Sequence, residues 1–564
     1  MFEAANRLGD MRGDLIGSMC AVTGKTVVEG DVEVSEGIDY ARFYTTTMKK
    51  FAALHDVDIT SKGTILVISP WNFPCAIPIG GIVAGLAGGN TVILKPATVA
   101  APVAWLFAKA FWDAGVPKEA LQVIITDREA LKELTTAPAI KHIILTGGTD
   151  TAQSIARINP STPLSAETGG KNAIILTASG DRDHAIMNIV TSAFGNAGQK
   201  CSACSLLLVE RSVYEDKNFQ DKLKDAATSI KVGSVWEAGN VVGPMITNRN
   251  DKLLQALTLE PGESWLVPPK FIDEKQYILA PTVKWGVKPG SYSFRTELFG
   301  PMLSVACIDN LQQGIELVNS LDYGLTSGLQ SLDENEQKLW KDSILAGNLY
   351  INRGITGAIV NRQPFGGMKL SAFGGGVKAG GPNYCACLVK ITDKPESNTD
   401  YKQSYPHAYE EEFAHARDIN KLYGEQNAFR YLPLKNMVLR LFPGDSNEEA
   451  EMIALATKLC HTPLTISFDP NDDRTTALSS TGCTLKKETL DEFLKTMRSY
   501  ERIRTCGADI PMEMYEEAAR RNKYIATAKP VKNGRVELIH YIKEQSISFE
   551  FHRYGSILDV PPVE

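Results

Sequence analysis

Three short motifs place a thiol, a carboxylate and a primary amide in one chain. The thiol is Cys201 in the run Gly198-Gln199-Lys200-Cys201-Ser202, and the carboxylate is Glu167, which precedes a pair of glycines by two positions. The amide is Asn72, inside Pro70-Trp71-Asn72-Phe73-Pro74. A cysteine thiolate is a strong nucleophile, a carboxylate can activate water, and an amide can donate to an oxyanion. The combination predicts covalent chemistry on a carbonyl carbon that passes through a thioester.

Each of these residues also has an ordinary structural interpretation. A free cysteine is usually a small buried apolar residue, which is our interpretation of Cys204. Asn72 fits a turn among prolines, and Glu167 fits a helix cap or the surface. For Cys201, the neighbouring Lys200 is expected to favour the thiolate. The three motifs together favour the catalytic interpretation.

Composition and charge describe a large globular protein. With 564 residues, 43% hydrophobic and 22% charged, the chain should fold as two to four domains. A net charge of −7 argues against a nucleic-acid partner. We expect no transmembrane segment and no signal peptide, because apolar runs are short and the N-terminus lacks a basic region. Ten scattered cysteines predict reduced thiols, a cytoplasmic location and no required metal.

Apolar runs that alternate with helical segments predict an α/β fold with parallel sheets. No short-period repeat is visible. The predicted organisation is a cofactor-binding unit at 1–171, a catalytic unit at 172–352, a glycine-rich loop and return segment at 353–396, a polar linker at 397–412 and a third α/β unit at 413–564.

A nucleotide site is predicted in the first unit. Lys95 ends a strand and could reach ribose hydroxyls or phosphate, and Thr146-Gly147-Gly148-Thr149 joins a strand to a helix. A helix N-terminus suits a pyrophosphate. The GxGxxG fingerprint is absent, so a dinucleotide would bind in a non-standard way.

Residues 1 to about 390 resemble the aldehyde dehydrogenase superfamily, whose base-to-nucleophile interval matches the 34 positions from Glu167 to Cys201. The resemblance implies a Rossmann-like NAD-binding domain beside an α/β catalytic domain. It also implies that Cys201 attacks an aldehyde, that Asn72 and the Cys201 N–H bind the oxyanion, and that Glu167 activates water. The residues implied to line the cofactor site are Ile68, Trp71, Lys95, Gly147, Gly148, Glu297 and Phe299.

The runs at 356–360, 363–367 and 378–382 resemble the L-glutamate γ-semialdehyde (Δ1-pyrroline-5-carboxylate) dehydrogenases. In that family an anchor loop binds the substrate α-carboxylate through backbone N–H groups, and an acidic side chain receives the α-ammonium. Such a zwitterion needs a donor cluster at one end and an acceptor near it. An alternative is that the loop is a glycine-rich crossing between domains. The residues implied to bind substrate are Ser202, Gly357, Ala358, Phe73, Phe365 and Glu36.

The third unit resembles the C-terminal part of the bifunctional proline utilization A proteins, through runs at 424–431, 544–548 and 552–555. This implies a capping or docking role for the unit. It also implies a proline dehydrogenase partner, either separate or fused, because this chain has no flavin-binding barrel of its own. A homo-oligomer is expected.

Three departures from the family pattern leave alternatives open. Thr98 stands where many NAD-preferring relatives carry Glu, so NADP is not excluded, and Gly148 stands where Ser is common. The family's opening strands are not found before the first predicted helix. The alternative functions are therefore a dehydrogenase for another semialdehyde, or a non-catalytic partner subunit with a disabled cofactor site.

Overall fold

The computed structural model describes residues 1–247, 250–275, 277–507 and 509–551. Three helices come first, and the third of them, Val27–Ala52, begins at an N-cap where the Thr26 side chain accepts from the Glu29 N–H. It crosses Ala76–Ala87 closely, because a Cβ at Gly37 would lie 3.0 Å from Ile79 Cδ1. No helix in the described ranges is long and apolar enough to span a membrane.

The first sheet, called the N-terminal sheet, has six strands, five of them parallel. Its faces are covered by different helices: Ile65 and Val67 pack with Ala76–Ala87 and Ala101–Asp113, and Leu66 packs on the opposite face. Burial on both faces explains why these strands are continuous apolar runs in the sequence. In spatial order the strands are Ala372–Phe373, Leu164–Glu167, Ile140–Thr146, Thr64–Ile68, Thr91–Lys95 and Leu121–Val123.

The second sheet, called the central sheet, has nine strands and carries the nucleophile segment ahead of Cys204–Glu210. Only its two edge pairings are antiparallel. Two separate clusters of buried apolar side chains cover its faces. In spatial order the strands are Glu425–Pro433, Ile542–Glu550, Asn348–Ile351, Thr326–Gln330, Asn172–Leu176, Cys204–Glu210, Met302–Ile308, Thr282–Trp285 and Ser264–Val267.

The third sheet, called the C-terminal sheet, is fully parallel and also has helices on both faces. Its strands in spatial order are Thr484–Lys487, Leu464–Phe468, Met437–Arg440, Arg502–Arg504 and Tyr524–Ala526. Three two-stranded pairs complete the strands: Val57–Ser61 with Val389–Asp393, Phe271–Asp273 with Ile278–Leu279, and Tyr323–Gly324 with Met368–Lys369.

The α-helices lie between these strands. They are Phe2–Asp10, Arg12–Thr23, Val27–Ala52, Ala76–Ala87, Ala101–Asp113, Arg128–Thr136, Thr149–Ile158, Arg182–Phe194, Arg211–Tyr214, Lys217–Thr228, Asp251–Ala256, Tyr292–Arg295, Leu311–Asn319, Glu334–Ser343, Tyr401–Ala408, Asn447–Leu459, Thr475–Leu478, Leu490–Thr496, Met512–Arg520 and Gly534–Glu537.

The predicted boundaries differ from the observed packing in two places. The segment expected as a polar linker, 397–412, contains the helix Tyr401–Ala408, whose Tyr401 and Tyr405 are buried in the third unit's core. The third unit is also not separate, because Glu425–Pro433 and Ile542–Glu550 extend the central sheet. The strand Asn348–Ile351 is therefore paired on both sides, and Glu425–Pro433 from the third unit forms this edge of the central sheet.

Candidate active site

One pocket brings together the predicted nucleophile, the predicted base and every residue predicted for substrate binding. It lies between the helix Val27–Ala52, the nucleophile segment and the 353–396 loop. Asn72 and the seven residues predicted for the cofactor lie outside its lining. The predicted residues that line it are Cys201, Glu167, Ser202, Gly357, Ala358, Phe73, Phe365 and Glu36.

Cys201 follows a tight turn and precedes a strand of the central sheet. The turn is strained, since Asn196 and Ala197 both have φ of +52°. The Cys201 carbonyl is fixed by the Asn172 amide at 2.6 Å. The Asn72 amide nitrogen donates to the carbonyl of Gln199 at 3.0 Å, two residues before the thiol. This bond ties the Asn72 side chain to the turn that precedes Cys201, and its role as an oxyanion donor stays a prediction.

The Cys201 thiol has a raised pKa in this structure. Burial is the main cause that raises its pKa to about 12, and the negative charges of Glu297 and Glu167 add to it. The expectation that Lys200 favours the thiolate stays a prediction, and in this structure Lys200 Nζ pairs with Glu29 at 2.7 Å. The thiol must therefore lose its proton when substrate and cofactor are bound.

Glu167 ends the strand Leu164–Glu167, with its carboxylate in the pocket. Its Oε2 accepts a hydrogen bond from the Gly367 N–H at 3.1 Å. Burial raises its pKa to about 8, against the opposing effects of the Lys378 cation and that N–H. A carboxyl group with a pKa near the working pH suits a general base.

The predicted cofactor residues cluster at the carboxyl ends of the N-terminal strands. Ile68 and Lys95 are register partners on adjacent parallel strands. Lys95 has no ion pair among the described residues, and burial lowers the pKa of its amine. Gly147 follows the strand Ile140–Thr146. Gly148 is the N-cap of the helix Thr149–Ile158, whose first turn has no side-chain cap. Uncapped N–H groups at this helix N-terminus, and a lysine without an ion pair in the described ranges at the same edge of the sheet, fit the predicted binding of a dinucleotide.

Glu297, Trp71 and Phe299 form the other wall of the predicted cofactor site. The rings of Trp71 and Phe299 meet edge to face at 5.8 Å. Glu297 Oε1 accepts from the Gly170 N–H at 2.8 Å, and burial raises the pKa of its carboxyl. A cofactor ribose that hydrogen-bonds to Glu297 would compete with this backbone contact.

At one end of the pocket, Glu36 is a carboxyl group without a partner. In the described part of the chain it has no hydrogen bond and no ion pair, and the nearby cations are committed elsewhere. Lys25 forms a buried pair with Glu33, and Lys200 pairs with Glu29. Burial raises the pKa of Glu36 to about 8, and the neighbouring Glu33 charge adds to this. Such a carboxyl group would bind an ammonium ion from a ligand favourably.

The 353–396 loop faces the same pocket. Gly357 has φ of +90°, and a Cβ added there would meet nothing within 4 Å. Its backbone is therefore open on the pocket side, and Ala358 follows it in the lining. Phe365 is anchored by two backbone hydrogen bonds to Ala379, both 2.8 Å long. Phe73 is in contact with the Lys25 amine, which lies 4.0 Å from its ring centre.

Sequence reasoning missed several lining residues that a helical pattern could have found. The missed residues Glu29, Glu33, Tyr40 and Tyr44 recur with the predicted Glu36 at spacings of three and four, which places all five on one face of Val27–Ala52. All five line the pocket. Lys378 lies in the run 378–382, but no individual role was predicted for it from the sequence.

The run 552–555, which belongs to the unit predicted to cap or dock, lies outside the described residues. In the third unit, ligand atoms of Asp445, Glu449 and Cys506 lie within 4.8 Å of one another. Glu449 is already paired with Lys529 at 3.0 Å, so this group does not indicate a metal site.

Comparison with known proteins identifies the family of this chain. The model of the aldehyde dehydrogenase family matches residues 1–392. A protein named 1-pyrroline-5-carboxylate dehydrogenase from Geobacillus sp. (strain WCH70) is 33% identical over 407 residues, covering 68% of this chain and 78% of its own. A protein of the same name from Bacillus subtilis (strain 168) is 31% identical over 405 residues, covering 68% of this chain and 78% of its own.

Two solved structures extend the comparison. Proline utilization A from Corynebacterium freiburgense superposes with a TM-score of 0.87 at 38% identity, covering 99% of this chain and 57% of that one. The present chain therefore spans little more than half of that protein. A Thermus 1-pyrroline-5-carboxylate dehydrogenase with bound NAD has a TM-score of 0.65 at 31% identity, and the match covers 69% of this chain and 79% of that one. The predicted α/β fold is confirmed, and the chain belongs to the aldehyde dehydrogenase family.

Proposed function

We propose that this protein oxidises L-glutamate γ-semialdehyde, the open form of Δ1-pyrroline-5-carboxylate, to L-glutamate with NAD. The observation that carries the proposal is the unpartnered Glu36 carboxyl group in the same pocket as Cys201 and the open Gly357 backbone. An aldehyde with a free α-amino acid end would occupy all three. The relatives named for 1-pyrroline-5-carboxylate support this substrate.

The first chemical step belongs to Cys201 and Asn72. The Cys201 Sγ forms a bond to the aldehyde carbon as the thiol gives its proton to a solvent water molecule and the carbonyl π bond breaks. The carbonyl oxygen becomes an oxyanion, which accepts hydrogen bonds from the Asn72 amide and the Cys201 N–H. Donors fixed in advance stabilise such a charge without reorganising.

The second step belongs to Glu167. NAD would be held by the predicted cofactor residues and would supply the hydride acceptor for oxidation of the thiohemiacetal to a thioester; these residues are Ile68, Trp71, Lys95, Gly147, Gly148, Glu297 and Phe299. Glu167 then takes a proton from water, whose oxygen attacks the thioester carbon. The carbon–sulfur bond breaks, Cys201 is released, and the new carboxylate leaves.

The choice between NAD and NADP depends on the exposed Thr98. A threonine at this place neither binds a 2′-hydroxyl as a carboxylate does nor repels a 2′-phosphate. The protein should therefore prefer NAD and retain measurable activity with NADP. The NAD-bound Thermus structure supports NAD as the main cofactor.

The partners form a coarser part of the proposal. The similarity to proline utilization A over 99% of this chain supports a proline dehydrogenase, fused or separate, as the source of the substrate. The proposal also includes a homo-oligomeric state, a capping role for the third unit and the cytoplasmic location that the cysteines predict.

The direct test measures NADH formed from Δ1-pyrroline-5-carboxylate by the wild type and two variants. Cys201→Ala should abolish turnover and keep NAD binding. Cys204→Ala is the matched control, because Cys204 is buried three residues away and lies outside the pocket lining. Turnover retained by Cys201→Ala would refute the mechanism, and no turnover in a folded wild type would refute the proposed function.

A further inference from the structure

Lys378 is a buried cation that the mechanism above does not use. Only 1% of its surface is exposed, and its Nζ donates to the Asn348 side chain at 2.9 Å and to the Gly366 carbonyl. Its backbone N–H donates to Glu544 Oε2 at 2.6 Å. Glu544 lies on Ile542–Glu550, so a strand from the third unit fixes the backbone of this lysine.

Lys378 and the predicted base lie on either side of a single glycine. A Cβ at Gly366 would lie 3.1 Å from Glu167 Oε1 and 3.3 Å from Lys378 Cγ. The next residue, Gly367, donates its N–H to Glu167 Oε2. The lysine thus holds the Gly366 carbonyl while the adjacent N–H holds the carboxylate. One short backbone segment links the two side chains.

We propose that Lys378 is a positioning residue for Glu167: it fixes the Gly366–Gly367 segment that orients the carboxylate, and its charge favours the ionised form of that group over the neutral one. This inference rests on the proposed function, because it concerns the step in which Glu167 activates water. It assigns to Lys378 a role in thioester hydrolysis and none in the attack by Cys201.

The surrounding charges set the direction of the effect. Lys378 faces two carboxyl groups, Glu167 and Glu544, and Glu544 also faces Arg535. The Lys378 cation lowers the pKa of Glu167. The charge of Glu167 in turn raises the pKa of three neighbouring groups, which are Cys201, Tyr40 and Tyr384. Removing the Lys378 cation therefore raises the pKa of Glu167 further, since nothing remains to offset burial except the Gly367 N–H.

The test uses Lys378→Met in the full chain with Δ1-pyrroline-5-carboxylate and NAD. Hydrolysis of the thioester is measured as the steady rate after the burst of NADH, between pH 6 and pH 10. An opposite charge at close range shifts a carboxyl pKa by about 1–3 units. The acid limb, meaning the pH range in which the steady hydrolysis rate falls as pH is lowered, should move to higher pH by about one unit or more. The rate of the burst should change less than about threefold.

Two further variants separate positioning from folding. Lys378→Arg retains the charge, so its acid limb should stay near that of the wild type. In the Glu167→Gln background, Lys378→Met should cause no further loss of the residual hydrolysis, because its target is already removed. If Lys378→Met does not fold, Lys378→Gln keeps a donor for Gly366, and the same shift is expected.

An unchanged acid limb in a folded Lys378→Met or Lys378→Gln variant overturns the inference. An equal loss of hydrolysis with and without Glu167 also overturns it, because the lysine would then act elsewhere. Failure of the proposed function looks different: the wild type itself would form no NADH from this substrate.

Discussion

Replacing Glu36 by glutamine tests how the pocket recognises its substrate. The amide keeps the size of the side chain and removes the charge that would pair with the substrate α-ammonium. Glu36 has no partner in the described structure, so the change breaks no contact of the free protein. The expected effect is therefore confined to substrates that carry the amino group.

The size of the effect follows from the strength of a hydrogen bond to a charged group. Such a bond contributes about 1.5–3 kcal/mol, which corresponds to a change of about 10- to 150-fold in kcat/KM. Glu36 is partly accessible to pocket water, which screens the pair. We therefore expect a loss in the lower half of that range for the γ-semialdehyde.

The assay compares this substrate with glutaric semialdehyde, which lacks only the α-amino group. Glu36→Gln should lower kcat/KM for the amino substrate and leave that of the analogue unchanged. Since the pKa of Glu36 is raised to about 8, its carboxyl is mostly neutral at pH 7 and ionised above pH 8. The ratio of wild-type to variant kcat/KM should therefore rise from pH 6 to pH 9, for the amino substrate only.

The control is Asp31→Asn, which removes a negative charge from the same helix outside the pocket lining, where Asp31 pairs with Arg12. It should leave the ratio between the two substrates unchanged. Equal losses for both substrates in Glu36→Gln would refute an ammonium site at Glu36. Equal kcat/KM for both substrates in the wild type would favour a dehydrogenase for another semialdehyde.

Two other substitutions probe the walls of the site. Lys25→Met leaves the fully buried Glu33 without its cation and should lower the free energy of unfolding by about 3–5 kcal/mol in urea denaturation; a loss below about 1 kcal/mol would contradict the buried pair. Gly169→Ala puts a Cβ 2.1 Å from Glu297 Oε2 and should displace that carboxylate. We expect a higher dissociation constant for NAD by titration, and unchanged NAD affinity would argue against a cofactor role for Glu297.

Much of the fold was predictable because parallel strands buried on both faces are apolar runs. The strands Thr64–Ile68, Thr91–Lys95 and Asn172–Leu176 lie where such runs occur. The helix Tyr401–Ala408 was not predicted, because its polar residues and internal proline obscure a buried pair of tyrosines. The joining of Ile542–Glu550 to the central sheet depends on a partner strand far away in the sequence, which no local pattern reveals.

The candidate site was also predictable from the sequence only in part. Cys201 and Glu167 were found because their neighbours form motifs, and the structure places both in one pocket, while their roles stay predictions. The pairing of Lys200 with Glu29 was missed because it joins residues 171 positions apart. A charge beside a cysteine in sequence says little about the thiol until its partner in space is known.

The account depends most on a thioester at Cys201 that Glu167 resolves. Glu167→Gln, mixed with substrate and NAD, should give a burst of about one NADH per active site, followed by very slow turnover. Mass spectrometry of the trapped protein should find the acyl group on Cys201, and on no other cysteine. Steady turnover at the wild-type rate with no burst, or a burst without an adduct on Cys201, would contradict the account.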